Sequence, residues 1–293
     1  MRQQRQHHRR DRERSPRPAG PPAERQPQQP ARQPRPERPP AGPAENEVRV
    51  CGLNACLAVF QRRRDDIIRA YVSEARMKAC GALLRWCAET RRAYHVVGDD
   101  ELQRVTQSTH HEGVCLLVRQ LPVPDLAAFC TREKAAPPPR CVLLLDDVSN
   151  PHNLGAIVRV GAHVGAAGML LVGEPGTVPT LSAAVYRTAE GGLEHVPVIP
   201  VGDAAAAVRR LRDAGFTIVA PSSHTRDSLS AGALPPKVVF LLGSETAGLS
   251  DGVLRLAERR LAIPGSGAVE SLNVACAAAV LLGEFWRGRS PRP

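Results

Sequence analysis

Three stretches of the 293-residue chain combine polar and small residues in a way that could do chemistry. The first is Asp146-Asp147-Val148-Ser149-Asn150-Pro151-His152-Asn153, which leads into a segment carrying Arg159. The second is Gly243-Ser244-Glu245-Thr246-Ala247-Gly248. The third is Pro264-Gly265-Ser266-Gly267-Ala268-Val269-Glu270-Ser271-Leu272-Asn273. Small residues let a ligand approach the backbone closely, and loops on an apolar scaffold are where binding groups gather. Arg159 lies among Ile157, Val158 and Val160, so its guanidinium needs a partner. Glu245 is the candidate, as one half of either a functional pair or a structural ion pair. Asn153 is placed to cap a helix starting near Leu154. Ser271 and Asn273 flank the start of the last helix, where capping is the plainest role.

These loops need elements to hold them. From Cys141 onward, short apolar runs recur at Cys141–Leu145, Gly168–Val172, His195–Ile199, Phe216–Ala220, Val238–Leu242 and Arg260–Ile263. Helical patterns separate most of them: Leu154–Val164, Leu181–Ala189, Ala204–Ala214, Gly252–Ala257 and Leu272–Trp286. Alternating strand and helix predict a largely parallel sheet with helices on both faces, with binding sites at the carboxyl ends of the strands. All three polar loops follow a strand. Upstream, helices at Gly52–Arg62, Met77–Thr90 and Glu101–Gln107 alternate with strands at Ile67–Val72, Ala93–Val97 and Val114–Val118, which predicts a small α/β domain. The chain therefore divides into an arm over 1–46, a small domain over 47–120, a proline-marked linker with one helical turn over 121–140, and a larger domain over 141–293.

The composition narrows the classes. Apolar residues make up 43% but aromatics only 3%, so the core must be aliphatic. The net charge is +10, and residues 1–46 hold eleven Arg against five acidic residues, with eleven Pro and seven Gln. That segment cannot bury enough surface to offset its ordering entropy, and it reads as a disordered, extended cationic arm suited to a polyanion such as RNA. Arg62-Arg63-Arg64 is a second candidate RNA contact, or else a solvated helix end. Eight Cys without a C-x-x-C pair read as small core residues. His110-His111-Glu112 reads as a turn, because no third metal ligand is in sequence reach. Gly265-x-Gly267 has Glu270 where a dinucleotide-binding loop needs its third glycine, and no Walker loop occurs. No run of 18 apolar residues and no signal-like apolar segment is present, so a soluble intracellular protein is expected.

Three motifs in register carry a resemblance. Asn153-Leu154-Gly155-Ala156-Ile157-Val158-Arg159, Gly243-Ser244-Glu245-Thr246-Ala247-Gly248, and Ile263-Pro264 with Ser271-Leu272-Asn273-Val274 resemble the three motifs of the SpoU (TrmH-type) RNA methyltransferases of the SPOUT superfamily. The resemblance covers about residues 141–287. Residues 48–120, through Ala93-Tyr94-His95-Val96-Val97 and His110-His111-Glu112-Gly113-Val114, are similar to the L30e-like substrate-binding domain of several such enzymes.

The resemblance implies a SPOUT-type α/β fold with a C-terminal trefoil knot, which pattern reasoning alone would have excluded. It implies a cytoplasmic homodimer whose active site is shared across the interface. It also implies methyl transfer from S-adenosylmethionine to a ribose 2′-hydroxyl of tRNA or rRNA. Carried over by motif, Gly243, Ile263 and Leu272 match positions whose backbone holds the cofactor, and Arg159 matches the catalytic arginine. Asn153, Glu245, Ser271 and Asn273 match residues that position it or the substrate, with Glu245 expected to hold Arg159. Gly265 stands where Met is usual and Ala275 where a second Ser is usual, departures expected to act on cofactor affinity. The alternative on the same scaffold is a non-catalytic RNA-binding protein, but all five polar motif residues are present.

Overall fold

Period-two and fully apolar runs build two sheets in this computed structural model, which describes residues 46–173, 181–223, 225, 227–229, 233–287 and 289. Apart from Asn46, the basic arm expected over 1–46 lies outside the described residues. The smaller sheet has the order β1-β4-β2-β3, formed by β1 (Glu47–Cys51), β2 (Ile67–Val72), β3 (Ala93–Val96) and β4 (Val114–Arg119). β4 pairs antiparallel with β1 and β2, and β2 pairs parallel with β3. Its helices are α1 (Leu53–Arg63), α2 (Gly81–Glu89) and α3 (Asp99–Thr106). β1 is not among the expected strands. Its Glu47 and Arg49 alternate with buried Val48 and Val50, a strand pattern hidden beside the polar arm. Helix α2 is shorter than its pattern suggests, and a 3-10 turn over Glu74–Arg76 lies ahead of it.

The stretch expected to be a linker with one helical turn instead holds the ten-residue helix α4 (Leu126–Ala135). Prolines bracket it on both sides, and Asp125 caps it by accepting the Ala128 N–H at 2.7 Å. Pro punctuation marks helix ends as readily as loops, so the prolines hid the helix.

The larger sheet is parallel throughout, in the order β10-β8-β9-β5-β6-β7. Its strands are β5 (Arg140–Asp146), β6 (Gly168–Val172), β7 (Val198–Val201), β8 (Thr217–Pro221), β9 (Lys237–Leu242) and β10 (Arg259–Leu261). Its helices are α5 (Pro151–Val164), α6 (Ala183–Ala189), α7 (Ala204–Asp213), α8 (Asp251–Leu254) and α9 (Val274–Trp286). Residues 141–146 of β5 are all buried, as a strand covered on both faces requires.

Alternate β5 residues feed two cores. Cys141, Leu143 and Leu145 pack with Leu154, Ile157, Leu281 and Phe285 of α5 and α9. Val142 and Leu144 pack with Phe129, Val208, Leu211 and Val253 of α4, α7 and α8. The first core continues into the smaller sheet and its first helix through Val50, Cys56, Val59, Val114, Leu116 and Val118. Helix α6 touches both α5 and β1, and so carries that continuity from one sheet to the other. The strand order reverses between β9 and β5, the position where open parallel sheets bind ligands.

Candidate functional site

The chain leaves β5, β9 and β10 at the carboxyl edge of the sheet through the three polar loops. The first is shaped by Asn150, whose Oδ1 accepts the N–H groups of His152 (2.9 Å) and Asn153 (3.4 Å). With Pro151 at the first helical position, this starts α5 earlier than expected, and Asn150 rather than Asn153 is its cap. The Asn153 side chain is thereby freed for another contact. Its Oδ1 accepts Asn273 Nδ2 at 3.2 Å, and the same Nδ2 donates to Glu245 Oε1. The other end of the Asn273 amide caps α9, Oδ1 accepting Ala275 N at 2.9 Å and Cys276 N at 3.4 Å. One side chain thus ties all three loops together. Nearby, buried Asp146 at the end of β5 accepts the Ser250 N–H at 2.8 Å, fastening the loop after β9 to its neighbouring strand.

Gly243 closes that loop on itself. Ser244 and Gly248 exchange backbone hydrogen bonds at 3.0 Å each way. A Cβ on Gly243 would collide with the Gly248 carbonyl, so only glycine fits. In the third loop, Ile263 is half-buried, Ser271 is exposed, and Leu272 is 47% exposed despite being apolar. A backbone cradle with uncovered aliphatic groups suits a ligand that has a flat apolar part and polar edges.

Arg159 is not in this cluster. It follows Asn153 by six residues, which places it about 120° around the helix. Its partner is not Glu245, as expected, but Glu190, with Nη1 donating to Oε1 at 3.0 Å. The physical reason is helix packing: α5 lies against α6, and Glu190 sits at the C-terminal end of α6. Glu245 is taken by Asn273 instead. Sequence reasoning missed Glu190. The only available signal was Glu190-Gly191 at the end of a short helix, a position where glycine or asparagine is usual.

In the arginine triplet, Arg62 and Arg64 are exposed at the end of α1, and Arg63 alone departs from expectation. Arg63 is partly buried rather than solvated: it grips Glu194 through Nε (2.8 Å) and Nη2 (3.1 Å) and donates to the Arg119 carbonyl at 2.6 Å. Arg62 Nη2 lies 3.0 Å from His195 Nδ1.

Against known proteins, residues 140–283 match the model of the SpoU rRNA Methylase family, and residues 49–124 match that for RNA 2'-O ribose methyltransferase substrate binding. An uncharacterised tRNA/rRNA methyltransferase, YfiF, of Escherichia coli O157:H7 is 39% identical over 241 residues, covering 82% of this chain and 68% of that protein. The chain belongs to the SpoU/TrmH family of RNA methyltransferases. A second relative from Haemophilus influenzae is matched over 66% of its length, so the chain spans about two thirds of both proteins. The 23S rRNA (guanosine-2'-O-)-methyltransferase RlmB of Nitrosomonas europaea is 29% identical over 83% of this chain and 92% of its own. Among solved structures, the SpoU methyltransferase AviRb of Streptomyces viridochromogenes, in complex with the cofactor AdoMet, shares the fold. Its TM-score is 0.68 at 24% identity, over 83% of this chain and 91% of that one.

Within this SpoU chain, His110-His111-Glu112 forms a turn that organises the small sheet. His111 Nδ1 accepts the Gly113 N–H at 3.1 Å, and Glu112 Oε2 accepts the Leu53 N–H at 3.1 Å at the start of α1. Tyr186 of α6 is buried beside Arg63 and Glu194, and burial pushes its phenol up to about 12. All eight cysteines are free thiols, and seven are buried. No helix among the described residues is long and apolar enough to cross a membrane.

Proposed function

We propose that this chain transfers a methyl group from S-adenosylmethionine to a ribose 2′-hydroxyl of tRNA or rRNA. The observation that carries the reading is the junction at Asn273, which joins Asn153, Glu245 and the α9 cap at the carboxyl edge of the parallel sheet. When bound, S-adenosylmethionine supplies a methyl group on a sulfonium centre. The closed turn at Gly243 and the backbone at Ile263 and Leu272 would hold it, with Leu272 against its apolar part.

A ribose hydroxyl is a weak nucleophile at neutral pH and must give up its proton as it attacks. Arg159 is a permanent cation with five donors and no acceptor, so it does not take that proton. Its role is to stabilise charge developing on the ribose oxygen, or to orient the neighbouring phosphate that accepts the proton. Asn153, Glu245, Ser271 and Asn273 shape the surface on which cofactor and ribose are aligned. Alignment is a large part of the barrier for such a transfer.

The chain acts as a homodimer with shared sites. Two features support this reading: Arg159 lies on another face of α5 than the Asn273 junction, and the apolar groups Leu272, just before α9, and Val280, within it, are exposed. The parts at 47–120 and 141–293 serve RNA docking and catalysis, with 121–140 joining them through α4, which packs in the second core, and with the active protein in the cytoplasm. After β10 at the sheet edge, the chain returns past the loop following β9 into α9, which packs on α5 in the middle of the fold. That path supports a trefoil knot.

Methyl transfer from labelled S-adenosylmethionine to unmodified tRNA and, separately, rRNA tests the proposal, with Arg159→Ala as control. Label on ribose in one pool, lost in the variant, is expected. Absence of label from both pools, with cofactor bound, would favour the non-catalytic RNA-binding alternative.

A further inference from the structure

Glu190 occupies a position that its residue type does not favour. It ends α6 in the left-handed region, with φ 46° and ψ 45°, where a side chain is strained and glycine or asparagine is usual. Its ion pair with Arg159 is partly solvated, the two side chains being 32% and 57% exposed, and such pairs return little stability. Stability therefore does not account for a glutamate here.

Its contacts suggest what does. Oε1 accepts Arg159 Nη1 at 3.0 Å, and Oε2 accepts Asn54 Nδ2 at 2.8 Å. Asn54 belongs to α1 of the small sheet, so the carboxylate bridges the two parts of the molecule. The next residue, Gly191 (φ 91°), lets α1 press against the same turn: a Cβ there would lie 2.6 Å from the Ala58 Cβ. Both the backbone and the carboxylate of this turn thus meet α1.

We propose that Glu190 is a positioning residue for Arg159, and that Asn54 couples docking of the small, RNA-binding part to the orientation of that arginine. The inference rests on the reading of Arg159 as the group that acts at the ribose. A guanidinium on a long flexible stem is held by one nitrogen, leaving Nε and Nη2 to face RNA in a defined direction. When α1 is seated, the arginine is aimed; when α1 shifts, Glu190 loses its second anchor and the arginine swings free.

The full-length chain and its Glu190→Gly, Glu190→Gln and Asn54→Ala variants test this. Glu190→Gly relieves the left-handed backbone, so it is expected to melt no lower than the parent. Its turnover should nevertheless fall about 10- to 100-fold, as misplacement of a catalytic group does, with S-adenosylmethionine affinity unchanged. Glu190→Gln should fall between the two. Asn54→Ala should also lower turnover, with no further loss when combined with Glu190→Gly. Turnover of Glu190→Gly within about twofold of the parent would overturn the proposal.

A second readout needs no activity. The Arg159 Nε–Hε signal, identified by its loss in Arg159→Lys, should move in Asn54→Ala as well as in Glu190→Gln. A signal unmoved in Asn54→Ala overturns the relay. If the parent transfers no methyl group, the proposed reaction fails, while this signal still decides the relay.

Discussion

Asn273 performs two tasks with the two ends of one amide. Its oxygen caps α9 and its nitrogen joins the loops. The two can be separated. Asn273→Ala removes both and should lower stability by about 1 kcal/mol, the usual worth of an N-cap, or roughly 2–4 °C in Tm for a chain of this size. Asn273→Asp keeps the cap acceptor but removes the donor and sets a carboxylate against Glu245. It should melt within a few degrees of the parent yet lose at least about 10-fold in turnover. Full turnover by the aspartate variant would show that the Nδ2 contacts are not used. Tyr186 makes a pH-dependent contribution. Burial raises its phenol to about 12 from the ordinary 10, so the folded state holds the proton that the unfolded chain releases first. The benefit is complete below pH 10 and is lost as pH climbs towards 12, about 2–3 kcal/mol in all. Buried thiols such as Cys56, raised by the same burial, act in the same direction. Denaturant titrations of Tyr186→Phe should therefore show a shallower alkaline decline than the parent between pH 10 and 12, not a flat one.

Helix α5 has to satisfy the loop junction on one side and α6 on another, and its residue spacing reflects both. Asn153 faces the loop junction, Arg159 faces Glu190, and Gly155 lies against α6. A Cβ at Gly155 would come within 2.6 Å of the Thr188 Cβ and 3.0 Å of the Val185 carbonyl oxygen. Gly155→Ala must push the helices apart, despite the better helix propensity of alanine. A loss of about 1–3 kcal/mol in urea unfolding with an unchanged slope is expected. A gain in stability would mean that α6 can retreat freely. This element also shows how far local pattern reaches. The periodicity of 154–164 marks the helix, but its start at Asn150-Pro151 lies outside the periodic residues, and Asn153 offers an equally plain cap three positions later. Similarly, the prolines around α4 read as a linker although they frame a helix.

The two sheets of the molecule meet through long-range contacts that include Arg63 with Glu194, Asn54 with Glu190, and Arg187 with Ser108. The arginine triplet was legible as a charge run, but Arg63 was not legible as a partly buried clamp, because its acceptor lies 131 residues away in sequence. If the sites are shared between protomers, two impaired variants that lack different groups should complement each other. Arg159→Ala and Asn273→Asp, co-expressed so that subunits mix at random, place about half of the dimers in a mixed state with one of two sites intact. Activity of about a quarter of the parent is then expected, following from a two-fold interface. Failure of the mixture to recover activity, with dimers present by sedimentation, would show that each site is built within one protomer.

The sequence by itself determined the alternation of strands and helices, the parallel sheet, the position of three polar loops after strands, and the aliphatic core. These depend on side-chain periodicity and on turn residues, which act over a few positions. The tertiary structure decided which charged and polar groups meet. Asn273 joins Asn153 from 120 residues away, and Asn54 reaches Glu190 across 136. Arg159 finds Glu190 rather than Glu245 because α5 packs against α6, and that packing is settled by the shapes of Gly155, Val185 and Thr188 across the helix interface. Partner choice between distant side chains follows from how helices seat on a sheet, and no local spacing records it.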